Sequence, residues 1–325
     1  GLEMEGIYIS ASGDNAVVKL KSGYNICVPE TAVTAREGTP APEKPSAQPL
    51  AQNEKLPLLS IISTGGTIAS TVDYRTGAVS SKFTAEDILR SIPELAGIAR
   101  YHTLQPFNIL SENMNPAMWQ ELARTIYDEI KDGAQGIIVT HGTDTMLYSA
   151  AAVSFMLDTP VPVIFVGAQR SADRPSSDNA VNAICSAQAG VSELGEVVVC
   201  MHATANDTAC SLHRATRVRK NHTSCRDAFQ SIGRSPVGTV TYPDGKVVLA
   251  DDAVKRDDVR LSLLDELEPA CGLLTYYPGM NPAVLDAFKG YKGLVIAGTG
   301  LGHTGTDCIE KIADLAAAGT TVVMT

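Results

Sequence analysis

The sequence predicts an α/β protein whose mainly parallel β-sheet is covered by helices on both faces. Three observations support this prediction. From residue 58 onward, short apolar runs alternate with segments of helical periodicity. Few polar residues interrupt these runs, which is typical of strands buried on both faces. Hydrophobic residues make up 44% of the 325 residues, so the chain can bury a large core, and its length fits about two domains.

Residues 1–35 are expected to form a small β-barrel-like domain, because turn-forming residues separate three strand-like runs: GIYIS, AVVKL and NICVP. Residues 36–57 contain five prolines and few large apolar side chains, a composition typical of a semi-rigid linker. The main α/β domain is expected over residues 58–250. Residues 251–325 are expected to hold a linker and the start of a second α/β domain.

Strands of the sheet are predicted wherever an apolar run has the length of a strand. These runs cover residues 58–63, 136–140, 162–167, 196–201, 294–298 and 321–325. A helix is predicted over residues 116–133, because Pro116 stands near its start and Gly133 just past its end. Parallel sheets bind ligands at the carboxyl ends of their strands, so the residues that follow each strand are the candidates for function.

The charge and the cysteines disfavour several classes of protein. A net charge of −10 disfavours direct binding to a nucleic-acid backbone. No apolar run reaches the roughly 18–20 residues of a membrane helix, and the N-terminus lacks the features of a signal peptide. The seven cysteines are odd in number and include no C-x-x-C pair, which is typical of reduced thiols. We therefore expect a cytoplasmic protein without a membrane anchor.

Two motifs that resemble cofactor or metal sites are rejected on their spacing. Cys200, His202, Cys210 and His213 match no common zinc motif, so no metal is expected. The glycines of residues 300–305 have the form of a dinucleotide fingerprint, but threonines stand about 20 residues later, where that fingerprint needs an acid. We interpret these glycines as a strand-to-helix turn and expect no cofactor in this chain.

The loop after the strand at 58–63 carries a candidate nucleophile. Gly65 and Gly66 allow the backbone to turn tightly and to approach a ligand, and Thr67 follows them. A threonine hydroxyl can attack an acyl carbon when a neighbouring group removes its proton. The alternative is a glycine turn followed by a threonine that caps a helix.

The loop after the strand at 136–140 continues with Thr143 and Asp144. Thr143 can carry or orient a proton, and Asp144 can hold the ammonium group of a substrate. The alternative is that they cap a helix over residues 146–157, a role that is compatible with catalysis.

Two further segments contain candidate residues. Ser111 and Glu112 follow a predicted short strand and can hold the charged end of an amino acid, although they can also belong to a plain polar loop. Residues 214–226 form a rare basic cluster in an acidic chain. Burial disfavours the ammonium form of a lysine, so Lys220 in this cluster can act as a base. The alternative is a solvated basic loop.

Taken together, TGGTIA at residues 64–69, HGTDT at residues 141–145 and the downstream lysine closely resemble the motifs of the L-asparaginase family. The resemblance runs from Leu58 to the end of the chain. It implies a modified doubly wound sheet and cleavage of side-chain amides by a threonine nucleophile, in clefts completed by a dimer neighbour. Family members continue past residue 325, so the second α/β domain is expected to be truncated here.

The same resemblance implies a role for each candidate residue. Catalytic roles fall on Thr67 as the nucleophile, Tyr74 in a flexible lid, and Thr143, Asp144 and Lys220 as the proton relay. Substrate-binding roles fall on Gly66, Ser111, Glu112 and Asp144.

Within that superfamily the chain is most similar to the ammonia-supplying subunits of archaeal tRNA-dependent amidotransferases. The N-terminal β domain and the proline-rich linker point to this group. So do Ser111-Glu112-Asn113-Met114, where simple asparaginases tend to carry Ser-Gln-Asp, the lysine segment at 217–229, and GTGLGHT at 298–304.

This closer resemblance implies L-glutamine as the substrate, a homodimer, and a heteromeric complex with a tRNA-binding subunit. That subunit would activate glutamate on tRNA(Gln) with ATP and Mg²⁺, since no G-x-x-x-x-G-K-[ST] motif occurs here. The alternatives are a free-standing asparaginase or glutaminase, and a catalytically inactive docking subunit. A cysteine-nucleophile glutaminase is disfavoured, because Cys185 falls within a predicted helix.

Overall fold

The computed structural model describes residues 4–12, 15–20, 25–34, 52–65, 70–72, 79–81, 85–170 and 176–325. The chain divides into two compact units, Gly1–Asp265 and Glu266–Thr325. The N-terminal strands are β1 (Gly6–Ser12), β2 (Asn15–Leu20) and β3 (Asn25–Pro29). They pair in an antiparallel sheet of order β1-β2-β3, which places strands at all three of the predicted runs.

The rest of the first unit contains the α/β core. Its helices are α1 (Ala85–Ser91), α2 (Pro116–Lys131), α3 (Met146–Met156) and α4 (Asn179–Gly190). Its strands are β4 (Leu58–Ser63), β5 (Ser70–Val72), β6 (Val79–Ser81), β7 (Arg100–Leu104), β8 (Ile137–Thr140), β9 (Leu157–Asp158), β10 (Val163–Val166), β11 (Val197–His202), β12 (Ala209–Arg214), β13 (Val218–Lys220), β14 (Phe229–Ser231), β15 (Gly238–Thr241), β16 (Val247–Leu249) and β17 (Ser262–Leu263).

Eight of the described strands form the central sheet, in the order β16-β15-β12-β11-β10-β8-β4-β7. Neighbouring strands from β11 to β7 pair in parallel. At the other edge the pairings are antiparallel: β12 with β11, β15 with β12, and β16 with β15. Every residue of β8, β10 and β11 is buried, because helices cover both faces of the sheet. The predicted α/β class with a mainly parallel sheet is therefore confirmed.

The two faces of the sheet are visible in β4. Leu59 and Ile61 belong to a core cluster with residues of α1 and α4, so these helices share one face. Side chains alternate along a strand, and Ser60 accordingly points to the other face. There its hydroxyl donates a 2.5 Å hydrogen bond to Glu129 of α2. Helix α3 lies beside α2, where Trp119 Nε1 donates to Ser149 Oγ at 2.9 Å.

The sequence determines where helix α2 begins and ends. The Asn115 side chain caps the N-terminus by accepting from the Met118 N–H at 3.2 Å, and Pro116 occupies the first turn, where no N–H is needed. The buried stripe is Leu122, Ala123, Ile126 and Ile130, with the spacing of one helix face. Burial of each large aliphatic side chain contributes about 1.5–3 kcal/mol. The helix ends at Lys131, and Gly133 beyond it has φ of +102°.

One strand prediction is wrong. The segment before Ser111 is not a strand, because its single bridge joins Ile109 to Gly65. Pro106 has no backbone N–H for a ladder, and residues 111–113 turn into a 3₁₀ helix.

The second unit has its own small sheet and core. Strands β18 (Cys271–Thr275), β19 (Gly293–Ala297) and β20 (Thr321–Met324) are parallel, and α5 (Ile309–Ala317) connects the last two. Its core consists of Met280, Leu285, Leu294, Ile296, Cys308 and Leu315. Across the described parts of both units, every helix is too short or too polar to cross a lipid bilayer.

Candidate active site

The carboxyl ends of β4 and β8 bring two predicted loops together. Ser63 pairs with Thr140 in the parallel register of these strands. Just beyond, the N–H and the hydroxyl of Thr64 both donate to the Thr140 carbonyl at 3.0 Å. Gly65 then turns with φ of +111°, and a Cβ there would lie 2.4 Å from the Ile109 carbonyl oxygen. Only glycine tolerates that combination, so the turn is fixed by the sequence.

Three predicted residues belong to segments outside the described residues. They are Gly66, Thr67 and Tyr74. Their assignment as substrate-binding residue, nucleophile and lid residue stays a prediction.

A lysine, a hydroxyl and a carboxylate meet beside this turn. Lys220 Nζ donates to Thr143 Oγ1 at 2.8 Å and to Asp144 Oδ1 at 2.7 Å. The Lys220 side chain is 8% exposed, whereas the Asp144 side chain is 74% exposed. Hydrogen bonds from an ammonium group to a carboxylate are among the stronger ones in proteins. The Lys220 ammonium group is therefore mostly buried, and the exposed Asp144 carboxylate contacts it from the solvent side.

The position of Lys220 follows from a short hairpin. Strand β13 pairs with β14, and Lys220 stands opposite Phe229. Side chains alternate along the strand, so Lys220 points to the same side as the buried Val218, while Arg219 is exposed. Lys220 thus lies in a strand and is directed inward, contrary to the alternative of a solvated loop.

The threonines after β8 bond to neighbouring loops and do not cap α3. The N-cap residue is Thr145, and no side chain makes a capping hydrogen bond there. Thr145 Oγ1 donates instead to the Ser111 carbonyl at 2.6 Å. The Thr143 hydroxyl accepts from Lys220. These contacts join the two polar loops to the lysine hairpin.

Of the two proposed substrate-binding residues in the 3₁₀ helix Ser111–Asn113, only Ser111 is buried near this cluster. A Cβ on Gly142 would lie 2.6 Å from the Ser111 Cβ and 2.9 Å from its hydroxyl. Ser111 therefore packs directly on the backbone that precedes Thr143. Glu112 is exposed.

His141 lies beside this cluster, and the sequence predicted no role for it. Burial lowers the pKa of its fully buried ring to about 4, although a contact with the Gly142 carbonyl opposes the shift. The neutral ring can place its N–H on Nδ1, which lies 2.8 Å from that carbonyl. His141 thus supports the turn without adding charge. A polar residue directly after an apolar strand was the signal that could have identified it.

The described residues offer no group of three side chains that could hold a metal ion. The His/Cys grouping is engaged in other contacts, since His202 bonds Asn182 and Asp207, and His213 Nδ1 lies 2.8 Å from Ser231 Oγ.

A mainly parallel sheet with a hydroxyl, lysine and carboxylate cluster at its carboxyl edge defines an asparaginase-type protein. Residues 58–255 match the family model "Asparaginase, N-terminal", and residues 271–325 match the "Glutaminase/Asparaginase C-terminal domain". The chain resembles the thermostable L-asparaginase from Thermococcus kodakarensis, with 29% identity and a TM-score of 0.70 over 82% of this chain and 79% of that one. A probable cytoplasmic L-asparaginase from Campylobacter jejuni gives 26% identity and a TM-score of 0.71 over 83% and 82%.

Curated relatives are more similar in sequence. The D-type subunit of the glutamyl-tRNA(Gln) amidotransferase of Halobacterium salinarum is 50% identical, over 99% of this chain and 79% of the relative. The protein of the same name from Archaeoglobus fulgidus is also 50% identical, over 96% and 75%. The chain therefore belongs to the asparaginase family and, within it, to the group of D-type subunits of glutamyl-tRNA(Gln) amidotransferases.

Proposed function

We propose that this chain is the glutaminase subunit of a tRNA-dependent amidotransferase. It hydrolyses L-glutamine through a threonine acyl-enzyme and supplies ammonia to a partner subunit. The partner uses ATP and Mg²⁺ to convert Glu-tRNA(Gln) to Gln-tRNA(Gln). The family name of the relatives supports the assembly, and the asparaginase-type core supports amide hydrolysis.

The observation that carries the proposal is the contact of Lys220 Nζ with both Thr143 and Asp144. The lysine reaches them across 77 and 76 residues of sequence. A scaffold that only docked a partner would gain little from placing an ammonium group in a mostly buried position. Proton transfer, in contrast, needs these groups within hydrogen-bond distance.

In the proposed reaction, the Thr67 hydroxyl oxygen attacks the side-chain amide carbon of glutamine. Thr143 and Lys220 relay the proton of that hydroxyl to the leaving nitrogen. The C–O bond forms, the C–N bond breaks and ammonia leaves. Asp144 stabilises the lysine ammonium group in between. Backbone N–H groups at Gly66-Thr67 or at Thr143 stabilise the oxyanion, an effect of about 3–4 kcal/mol per donor in studied enzymes.

Water then attacks the acyl-enzyme, releases glutamate and restores the hydroxyl. We propose that the substrate α-ammonium group binds near Asp144 and Glu112, two exposed carboxylates. The α-carboxylate would bind near Ser111 and the neighbouring backbone N–H groups. Tyr74 would close over the bound substrate from a lid.

The assembly is proposed to contain two copies of this chain with two tRNA-binding partners in the cytoplasm. This chain itself would hold no cofactor. The ammonia would pass to the partner, which carries the nucleotide and the tRNA.

The central experiment measures ammonia release from glutamine and from asparagine, with and without tRNA(Gln), ATP and the partner subunit. We expect a preference for glutamine and a rate that depends on the partner. Preference for asparagine without any partner dependence would favour a free-standing asparaginase, the name carried by the similar solved structures.

A substitution tests the nucleophile. Thr67→Ala should abolish glutamine hydrolysis and leave the far-ultraviolet circular dichroism unchanged. Thr125→Ala is the control, since its hydroxyl donates to the Glu121 carbonyl within α2. Retention of most of the activity in Thr67→Ala would remove Thr67 from this role.

A further inference from the structure

The hairpin that carries Lys220 is too small to hold itself rigidly. Strands β13 and β14 have three residues each, and an isolated two-stranded hairpin is marginally stable in water. The loop of residues 221–228 follows Lys220 directly. The position of the Lys220 amine therefore depends on what this loop bonds to.

One tie runs from the loop to the carboxyl end of β11. Arg226 Nη1 donates to Asp207 Oδ1 at 2.5 Å, and its other terminal nitrogen donates to the Ala205 carbonyl. The same Asp207 oxygen lies 3.1 Å from Nε2 of His202, a fully buried residue. The hydrogen bond from His202 lowers the pKa of the Asp207 carboxyl, and the nearby Arg226 adds to this effect.

The His202 ring has a partner at each of its two nitrogens. Its Nδ1 lies 2.6 Å from Asn182 Oδ1. The Asn182 amide nitrogen donates to the Gly167 carbonyl and to Asp178 Oδ2, both at 2.9 Å, which leaves the Asn182 oxygen facing the histidine. Both ring nitrogens of His202 thus lie within hydrogen-bond distance of an oxygen, on Asn182 and on Asp207. The Asp207 oxygen in turn lies between the His202 ring and the Arg226 guanidinium.

A second set of hydrogen bonds connects the 221–228 loop to the start of α4. Gln169 Nε2 donates to the Cys225 carbonyl at 2.9 Å, and its backbone N–H donates to Asp178 Oδ2 at 3.0 Å. Asp178 precedes α4 and is buried. Both ties therefore end at the N-terminal end of α4.

Thr143 also packs against a segment that Asn182 holds. A Cβ on Gly167, whose carbonyl Asn182 holds, would lie 2.8 Å from Thr143 Cγ2. Contacts therefore connect both the lysine hairpin and Thr143 to Asn182. Displacement of a catalytic group by about 1 Å can reduce a rate by roughly 100-fold.

We propose that Asp207, held by His202 and bonded to Arg226, is a positioning residue that keeps the Lys220 amine against Thr143 and Asp144 during amide hydrolysis. This inference rests on the proposed function. Asp207 touches neither the substrate nor the reacting atoms in this scheme, and it acts through the loop.

The chain offers a matched control at the other end of β11. Asp252 and Asp207 are similarly exposed, at 52% and 54%, and each pairs with an arginine whose side chain is 15% exposed, Arg214 and Arg226. Arg214 also bonds Glu196, just before the start of β11, about 20 Å along the strand from His202. Asp252→Asn therefore removes the ion pair with Arg214, together with a 3.4 Å contact to Arg234, and leaves the contacts of the 221–228 loop in place.

The test uses the full chain with its partner subunit. Asp207→Asn should lower kcat at least tenfold with KM within about twofold, while Asp252→Asn keeps the wild-type kcat. Hydrogen–deuterium exchange by mass spectrometry should become faster over residues 221–229 in Asp207→Asn alone. Asp207→Glu, which retains a carboxylate, should recover part of both losses.

Three outcomes would overturn the inference. The first two are unchanged exchange over residues 221–229 in Asp207→Asn, and faster exchange there with wild-type kcat. Equal losses of kcat in Asp207→Asn and Asp252→Asn would also overturn it, because general destabilisation would then explain both. Exchange does not depend on the reaction. Absence of glutamine hydrolysis in the wild-type chain would therefore refute the proposed function, while the exchange data still decide whether Asp207 anchors the hairpin.

Discussion

Replacement of Lys220 by methionine separates chemistry from stability at the proposed site. Methionine keeps most of the length and apolar volume of the lysine stem and removes the ammonium group. A positioned proton-transfer group contributes about 10²- to 10⁴-fold to a rate, which corresponds to roughly 3–5 kcal/mol of barrier. We therefore expect kcat for glutamine to fall by 10²- to 10⁴-fold.

The stability of the fold should change much less. The carboxylate of the Lys220–Asp144 pair is 74% exposed, and ion pairs open to solvent contribute only about 0–1 kcal/mol. The buried Thr143 hydroxyl loses one donor, at a cost of about 1–3 kcal/mol. Removal of an ammonium group from a mostly buried position offsets part of this. A net loss of about 1 kcal/mol lowers Tm by roughly 2–4 °C in a unit of this size.

The assay is initial-rate ammonia release, with Tm measured on the same samples. Lys311→Met is the control, because Lys311 forms a lysine–aspartate pair of the same length, 2.7 Å, with Asp286 in the second unit. Lys220→Ala should also regain activity on addition of methylamine, which can occupy the vacated space. A fall of less than tenfold in Lys220→Met with an unchanged Tm would refute the proposed proton relay.

Two further predictions concern packing and pH. Gly142→Ala should lower the free energy of unfolding by about 1–3 kcal/mol and raise KM, because the new Cβ would lie 2.6 Å from the Ser111 Cβ. Gly97→Ala is the control, since a Cβ there meets open space and should leave stability unchanged. Equal Tm values for the two variants would contradict this prediction. Burial lowers the pKa of His213 to about 4. As the pH falls from 6.5 to 4, the unfolded chain therefore binds more protons at this residue than the folded chain does. The free energy of unfolding should fall over that range by up to about 3 kcal/mol. His213→Asn should lose less stability than the wild type between pH 7 and 5 in urea titrations. Identical losses in the two proteins would show that His213 is not responsible.

Four parallel strands of the central sheet, β4, β8, β10 and β11, could be predicted to within about one residue because their burial leaves a continuous apolar run. The parallel edge strand β7 was not predicted, since its sequence RYHTL is mixed and only partly buried. The observed β8 and β10, Ile137–Thr140 and Val163–Val166, lie inside the predicted runs. The antiparallel β12 and β15 were not predicted. Their sequences, ACSLHR and GTVT, mix polar and apolar residues, and their strand form depends on pairing with β11 and with each other.

The residues that belong to the site were easier to predict than their arrangement. Thr143 and Asp144 stand directly after an apolar strand, where a parallel sheet binds its ligands. Lys220 was placed among basic residues that resemble a solvated loop. Its inward direction depends on the pairing of β13 with β14, nine residues away, and the sequence of the basic cluster shows no such register.

The contacts that hold the lysine hairpin could not be predicted at all, for a physical reason. His202, Asp178 and Asn182 are buried polar residues, and a buried polar group must find a partner. Which partner it finds is decided by tertiary structure across 20 or more residues, as with His202 and Asn182. The sequence grouped His202 with nearby cysteines as a possible metal ligand, although its ring nitrogens are already used by Asn182 and Asp207. The same burial that makes such a histidine resemble a ligand in sequence allows it to fix a three-residue hairpin, because a ring bonded at both nitrogens cannot turn without losing both hydrogen bonds.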